Sequence, residues 1–237
     1  MKITLIGYGK MGKTIEQIAT QRGHHISYII DVGNAQDLYN IKKGDTDIAI
    51  EFTQPESAFE NIKYCVENQI PVVCGTTGWL DKKSIVEQIC QEKKGAFFYA
   101  SNYSIGVNIF FRINQILAKM MNSYPQYEVS IEEIHHTEKK DAPSGTAITL
   151  AEGIIENLER KKGWNLSEDT AEQIRITAIR EANVAGTHTV FYQSDIDTIE
   201  IKHMAHSRQG FALGAVMAAE WLKDKQGVFG MNDLLGF

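Results

Sequence analysis

The stretch Glu133-Ile134-His135-His136-Thr137-Glu138-Lys139-Lys140-Asp141-Ala142-Pro143-Ser144-Gly145-Thr146-Ala147 gathers two histidines, two lysines and a helix start in one short segment. It reads as a polar loop between a strand and a helix. Ser144 is a good N-cap, which leaves Gly145 and Thr146 in the first turn with N–H groups that lack intrahelical acceptors. Such a helix start attracts anions. A dianion would place one carboxylate on the helix start and the other on Lys139 with a histidine. Histidine titrates near neutrality, so His135 or His136 could also deliver a proton to a bound molecule. Metal ligation is a weaker reading. Adjacent residues on a strand point to opposite faces, and no Cys or third His lies at ligand spacing. Lys140 reads equally well as a solvated turn residue.

A second chemical signal opens the chain. Gly7-Tyr8-Gly9-Lys10-Met11-Gly12 fits G-x-G-x-x-G, follows a short apolar strand and precedes a helical pattern. An acid, Asp31, stands 19 residues beyond Gly12 at the end of the next strand. That is the context a dinucleotide-binding loop requires. Gly7 permits the tight turn, Gly9 lets the backbone approach a pyrophosphate, and Gly12 packs helix on strand. Asp31 would accept from the ribose hydroxyls and repel a 2′-phosphate, and Val32 follows it where an arginine could have held that phosphate. NADH is therefore expected to be preferred over NADPH, or at least accepted. Arg22, Lys42 or Lys43 could supply a phosphate site instead. With hydride moving from such a cofactor, one acid on the substrate side is enough.

Three more segments sit at predicted strand ends, where ligands bind in open α/β sheets. They are Phe52-Thr53-Gln54-Pro55, Gly75-Thr76-Thr77-Gly78-Trp79 and Ala100-Ser101-Asn102-Tyr103-Ser104. Each could line a nicotinamide pocket, and each could equally be a plain turn.

The elements that must hold these loops fall into two rhythms. Strands over 2–6, 26–30, 47–52, 71–74 and 96–99 alternate with helices over 11–22, from Pro55, and over 81–93. This pattern indicates βαβ units and a parallel sheet. After residue 104 the pattern changes to a helix over 107–121, a strand over 127–134 and a helix from Ser144 to about Lys161. Two further strands over 187–192 and 198–203 form a hairpin. Along 127–134 the apolar residues alternate at Val129 and Ile131, while Ile134 falls out of step. A last helix, 211–222, could return to the first sheet. The expected class is α/β, a Rossmann-type doubly wound parallel sheet with a second α+β domain carrying a mixed or antiparallel sheet. The expected boundaries are 1–104 with 209–237 for the dinucleotide domain, and 105–208 for the substrate and oligomerisation domain.

A net charge of −6 over 237 residues argues against nucleic acid as the main partner. Three widely spaced cysteines suit reduced thiols in a cytoplasmic protein better than a disulfide framework. No run approaches 18 apolar residues, so no membrane span is expected.

The residues His135-His136-x-x-Lys139-x-Asp141-Ala142-Pro143-Ser144-Gly145-Thr146-Ala147 resemble the signature of the 4-hydroxy-tetrahydrodipicolinate reductase (dihydrodipicolinate reductase) family. Supporting matches are the Gly7–Gly12 loop, Phe52-Thr53-x-Pro55, Gly75-Thr76-Thr77-Gly78, Ala100 to Asn108 and Gly186-x-His188-Thr189-Val190. The resemblance implies reduction of 4-hydroxy-tetrahydrodipicolinate with NADH or NADPH in lysine and diaminopimelate synthesis, by a homotetramer. It implies His135 as proton donor, Lys139 as second catalytic residue, and His136, Ser144, Gly145 and Thr146 as contacts of a small dicarboxylate. It implies Gly75 to Thr77 and Ala100 to Tyr103 as nicotinamide-side loops, and Arg208 near the cofactor. The chain departs from the family pattern in a short stretch between Asp31 and Asp47, in Glu51 for an aspartate, and in Ala182 for a glycine. Two other readings stay open on the residues alone: an aspartate-type amino-acid dehydrogenase, and a non-catalytic dinucleotide sensor.

Overall fold

The computed structural model describes residues 1–167, 170–207 and 209–237. Two compact units emerge, Met1–Ile105 with Gln209–Phe237, and Gly106–Arg208. Arg208 itself lies outside the described residues.

The first unit is built on β1 (Lys2–Ile6), α1 (Lys10–Gln21), β2 (His25–Ile30), β3 (Ile48–Glu51), α2 (Pro55–Glu67), β4 (Val72–Cys74), α3 (Lys83–Lys93) and β5 (Ala96–Tyr99). Short apolar runs make strands buried on both faces, as parallel sheets require. Pro55 at the first position of α2 presets the helical backbone where its missing N–H costs nothing.

Helix α4 (Ile105–Met121) leads into the second unit, which holds β6 (Glu128–His135), α5 (Gly145–Ile155), β7 (Gly163–Asn165), β8 (Gln173–Arg180), β9 (Gly186–Gln193) and β10 (Thr198–Ala205). The chain then re-enters the first unit as α6 (Gln209–Leu222), β11 (Gly227–Phe229) and α7 (Met231–Leu235).

Six parallel strands run in the order β11-β5-β4-β3-β1-β2. Strand order reverses between β1 and β3, and ligands of open α/β sheets bind outside the carboxyl ends at such a switch point. The Gly7 loop leaves β1 there, and Phe52-Thr53 leaves β3 beside it. One face of the sheet packs Ile3, Leu5, Ile48 and Ile50 on Ile15 and Ala19 of α1 and Ala212 and Val216 of α6. The other packs Ala49, Val72 and Cys74 on Ile62 and Val66 of α2 and Val86 and Cys90 of α3. All three cysteines are free and buried, with Cys65 in that second core.

The second sheet runs β10-β9-β6-β8-β7. It is mixed: β9 pairs antiparallel with both β6 and β10, whereas β8 runs parallel to β6 and β7. Val129, Ile131, Ile174, Ile176, Val190 and Tyr192 cover one face with Phe110 and Ala118 of α4 and Leu150 and Ile154 of α5.

The helix expected to reach Lys161 stops at Ile155. The Asn157 amide donates to the Gly153 carbonyl at 2.9 Å and closes the helix end. Lys161 is then drawn inward, its ammonium bound by Glu128 Oε2 at 2.8 Å and the carbonyls of Ala171 at 3.0 Å and Gln173 at 3.3 Å. Strands β7, β8 and β11 had no sequence expectation; β7 and β11 have only three residues each. Among the described residues no helix is long and apolar enough to cross a membrane.

Candidate active site

In the first unit, Gly7 has φ +94° and its N–H donates to the Ile30 carbonyl at 2.8 Å, tying β1 to β2 where the loop begins. A Cβ on Gly12 would stand 2.2 Å from the Gly7 carbonyl oxygen, so helix and loop touch backbone to backbone. Above Gly9 the opposite holds, since a Cβ there would meet nothing within 4 Å. Gly9 is the N-cap of α1 and brings no side-chain cap, so the N–H groups of Lys10, Met11 and Gly12 have no side chain or helical carbonyl to bind. An open cradle of amides at a helix start fits a pyrophosphate. Tyr8 turns its hydroxyl to Glu16, and Lys13 lies 5.7 Å over its ring.

Asp31 directly follows β2 and is exposed. Its N–H donates to Asn34 Oδ1 at 2.8 Å, while Asn34 Nδ2 donates to the Ile29 carbonyl at 3.0 Å, which fixes the turn. Two cations named as rival phosphate ligands are engaged elsewhere. Arg22 grips Glu220 through two bonds of 2.8 Å, and Lys43 donates to Gln69 at 2.8 Å.

The three strand-end loops are knitted into one layer. Thr53 N–H donates to Thr76 Oγ1 at 2.8 Å, Trp79 Nε1 to the Thr76 carbonyl at 2.8 Å, and the Tyr103 hydroxyl to the Cys74 carbonyl at 2.6 Å. Phe52 packs on Tyr103 with ring centroids 5.7 Å apart. Fully buried Glu51 accepts from Thr53 and, at 3.1 Å, from the Cys74 thiol. Burial raises its carboxyl above the ordinary range, against these donors. Ala100 is buried in this layer, whereas Thr77 and Ser101 stay exposed and Asn102 and Gly75 are half-buried. Asn102 Oδ1 accepts from the Ser104 N–H at 2.9 Å.

The second unit brings most of the expected substrate residues to one place. His135 closes β6 and is buried. His136 follows half-buried, and its Nδ1 has no hydrogen-bond partner among the described residues. Ser144 caps α5: its Oγ accepts from the Ala147 N–H at 3.2 Å, leaving the Gly145 and Thr146 amides at the open helix start. Gly145 is exposed and Thr146 half-buried. Lys139 instead pairs with Asp141, at 2.7 and 2.9 Å.

Three residues that the sequence reading left out complete this site. Glu133 is wholly buried two positions before His135, and its carboxylate accepts from the Ser144 N–H at 3.0 and 3.1 Å. Arg180, on β8, lies 3.4 Å from Glu133 and donates to the carbonyls of Asp141 at 2.6 Å and Lys139 at 3.3 Å, so it shapes the loop. His188, named in the sequence only as part of a supporting motif, is buried 3.1 Å from Ser144 Oγ. Its ring lies edge-on to His135 at 4.9 Å. Glu133, His135 and His188 offer ligand atoms within 4.8 Å of one another, a grouping of two histidines and a carboxylate that sequence spacing concealed. The Arg180 guanidinium beside Glu133 opposes a cation there.

Burial first, and His188 second, push the His135 imidazole down to about 4, so it is neutral at pH 7. Burial alone would raise the Glu133 carboxyl, but His188 and Ser144 outweigh it and hold the group at about 2. Stability follows from both. The unfolded chain protonates its histidine near the ordinary 6.5, whereas folded His135 resists until about 4. Folding stability from this group is complete above 6.5 and falls as pH drops through that window, by up to roughly 1.4 kcal/mol per pH unit. Glu133 adds a further loss between 4.5 and about 2. Denaturant melts from pH 7 to 4 should show this slope, and His135→Gln should flatten it; equal slopes would refute the assignment.

A Rossmann-type unit with an open amide cradle, and a second unit pairing a buried histidine with an open helix start, have the architecture of an NAD(P)H-dependent oxidoreductase. Residues 1–103 match the family model "Dihydrodipicolinate reductase, N-terminus", and residues 106–235 match "Dihydrodipicolinate reductase, C-terminus". A 4-hydroxy-tetrahydrodipicolinate reductase of Christiangramia forsetii is 54% identical over 99% of this chain and 98% of its own. Another, of Methanosarcina acetivorans, is 37% identical over 96% and 86%. Among solved structures, a dipicolinate-bound dihydrodipicolinate reductase from Paenisporosarcina sp. TG-14 shares the fold, with TM-score 0.79 at 22% identity over 98% of this chain and 99% of that one. The chain belongs to the dihydrodipicolinate reductase family, whose reaction is the NAD(P)H-dependent reduction of 4-hydroxy-tetrahydrodipicolinate in lysine and diaminopimelate synthesis.

Proposed function

We propose that His135 is the proton donor of this reaction, with NADH the preferred reductant. The observation that carries the reading is the convergence of His135, Ser144 and the open start of α5 on one buried carboxylate. His136, Ser144 and the Gly145 and Thr146 amides hold one carboxylate of the dicarboxylate substrate, and Lys139 exchanges Asp141 for the other. The dianion then raises the His135 imidazole from its low resting value, so the proton arrives with the substrate.

Residues of the first unit hold the cofactor. The amides of Gly9 to Gly12 take the pyrophosphate, with Tyr8, Lys10 and Met11 beside it, and Asp31 takes the ribose. Phe52, Thr53, Gly75 to Thr77 and Ala100 to Tyr103 wall the nicotinamide. Bound NADH supplies the hydride. Arg208 is kept from the family resemblance as a residue near the cofactor.

Exposed Asp31, with Arg22 bound to Glu220 and Lys43 to Gln69, supports the NADH preference. The expected kcat/KM with NADH exceeds that with NADPH by about tenfold or more, the scale of one unpaired charge contact. Asp31→Ser should narrow the gap, and parity in the unaltered enzyme would overturn the preference. A homotetramer in the cytoplasm completes the proposal, supported by family resemblance.

A further inference from the structure

We infer that Glu133 decides which atoms of this site carry protons: it keeps a hydrogen on His135 Nδ1 and on His188 Nε2. His135 Nε2 is thereby the atom that gives the proton away, and the Ser144 hydroxyl hydrogen is left to meet a substrate carboxylate. The inference rests on His135 as donor and Ser144 as substrate contact.

Glu133 occupies an inward position of β6 and exposes none of its surface. Its two oxygens are surrounded by donors or potential donors. The Ser144 N–H lies at 3.0 and 3.1 Å and Arg180 at 3.4 Å, while His135 Nδ1 at 3.5 Å and His188 Nε2 at 3.7 Å stand within electrostatic range without making a hydrogen bond to it; His135 Nδ1 has no hydrogen-bond partner among the described residues. A neutral imidazole can present either an N–H or a lone pair to a neighbour. Toward a buried carboxylate the N–H is attracted and the lone pair repelled, and the low local dielectric enlarges the difference. His135 therefore turns its Nδ1 hydrogen toward Glu133, and His188 keeps a hydrogen on Nε2 that is bonded to Ser144 Oγ at 3.1 Å and attracted by the carboxylate at 3.7 Å.

The consequences differ for the two histidines. With Nδ1 of His135 occupied, Nε2 becomes the working atom. It faces Gly186, where a Cβ would stand 3.2 Å away, and φ of +152° keeps that position suited to glycine. For His188 the consequence passes to Ser144. Its Oγ already accepts from the Ala147 N–H and lies 3.1 Å from His188 Nε2. A hydroxyl has two acceptor sites and one hydrogen. If His188 Nε2 carries a hydrogen, both acceptor sites are filled and the hydroxyl hydrogen points outward as a donor. If Nε2 were bare, the hydroxyl hydrogen would be consumed by the ring.

The charged groups near this cluster are Lys139 and Arg180 at His135, and a further titratable group, His203 of β10, interacts electrostatically with His188 and His206. Glu133 touches no substrate in this scheme, so it is a positioning residue. In turnover His135 loses its Nε2 proton and keeps the one on Nδ1, and Glu133 stays ionised throughout.

Long-range proton–nitrogen NMR of the histidine rings at pH 7.5 reads the proton positions directly. The expected spectrum shows His135 hydrogenated at Nδ1 and His188 at Nε2, with assignments from His135→Gln and His188→Gln. Glu133→Gln keeps the shape, removes the charge and can offer an N–H to the rings. It should shift both tautomers and lower kcat by about tenfold, the scale of one lost charge contact in a buried site, with NADH affinity unchanged. A purely structural role would lower the melting temperature and leave the tautomers in place, which would overturn the inference. An Nε2-hydrogenated His135 in the unaltered enzyme would also overturn it, and that spectrum decides even if Glu133→Gln fails to fold. Normal turnover by His135→Ala would remove His135 as donor without altering the Glu133 spectra, so the two claims fail separately.

Discussion

His135→Ala is expected to lower kcat by about 10²-fold or more, in line with general-acid contributions, while NADH binds as before. The imidazole is buried at the end of β6, and burial and His188 keep it neutral at rest. A group that refuses its proton in the free protein and accepts one beside a dianion is charged when substrate is present. Alanine removes that acid and leaves water as donor. The first unit, which supplies every proposed cofactor contact except Arg208, is untouched by the change. Steady-state kinetics with a fluorescence titration of NADH would check both halves. Turnover within a few fold of the parent would reject His135 as donor.

Lys139→Ala comes next, with kcat/KM for the dicarboxylate expected to fall about 10²-fold, as for one lost ion pair to a buried substrate carboxylate. In the free protein the ammonium rests on Asp141, whose side chain is 62% exposed. An ion pair so open to water is worth about 0–1 kcal/mol and is readily exchanged. Asp141→Asn should therefore change turnover only about threefold or less on the same scale, and it serves as the control. If Lys139→Ala kept full kcat/KM, the ammonium would hold no substrate carboxylate.

Legibility in the sequence tracked how local each signal was. The glycine loop, Asp31 and Pro55 are short-range signatures, and the strands and helices that carry them fall within a few residues of their expected bounds. Ser144 as N-cap of α5 was equally local. Lys161 was misplaced because its reason for leaving the helix, Glu128 with the carbonyls of Ala171 and Gln173, is distant along the chain.

Glu133 carried a signal that apolar counting obscured. Val129, Ile131, Glu133 and His135 occupy every second position and are all buried, so the strand never lost its period. Ile134 seemed out of step because two polar residues took the inward places after Ile131. A glutamate continuing an inward series toward a histidine is the pattern to look for. Arg180 and His188 had no such clue, since pairing of β6 with β8 and β9 is what brings them beside Glu133.

The most direct measurement is NADH oxidation by the purified protein, with substrate made in place from aspartate semialdehyde, pyruvate and the preceding synthase. Rapid oxidation that depends on that substrate, is lost in His135→Ala and is slower with NADPH is the expected result. Absence of substrate-dependent oxidation with either nucleotide would contradict the proposed reaction at this site.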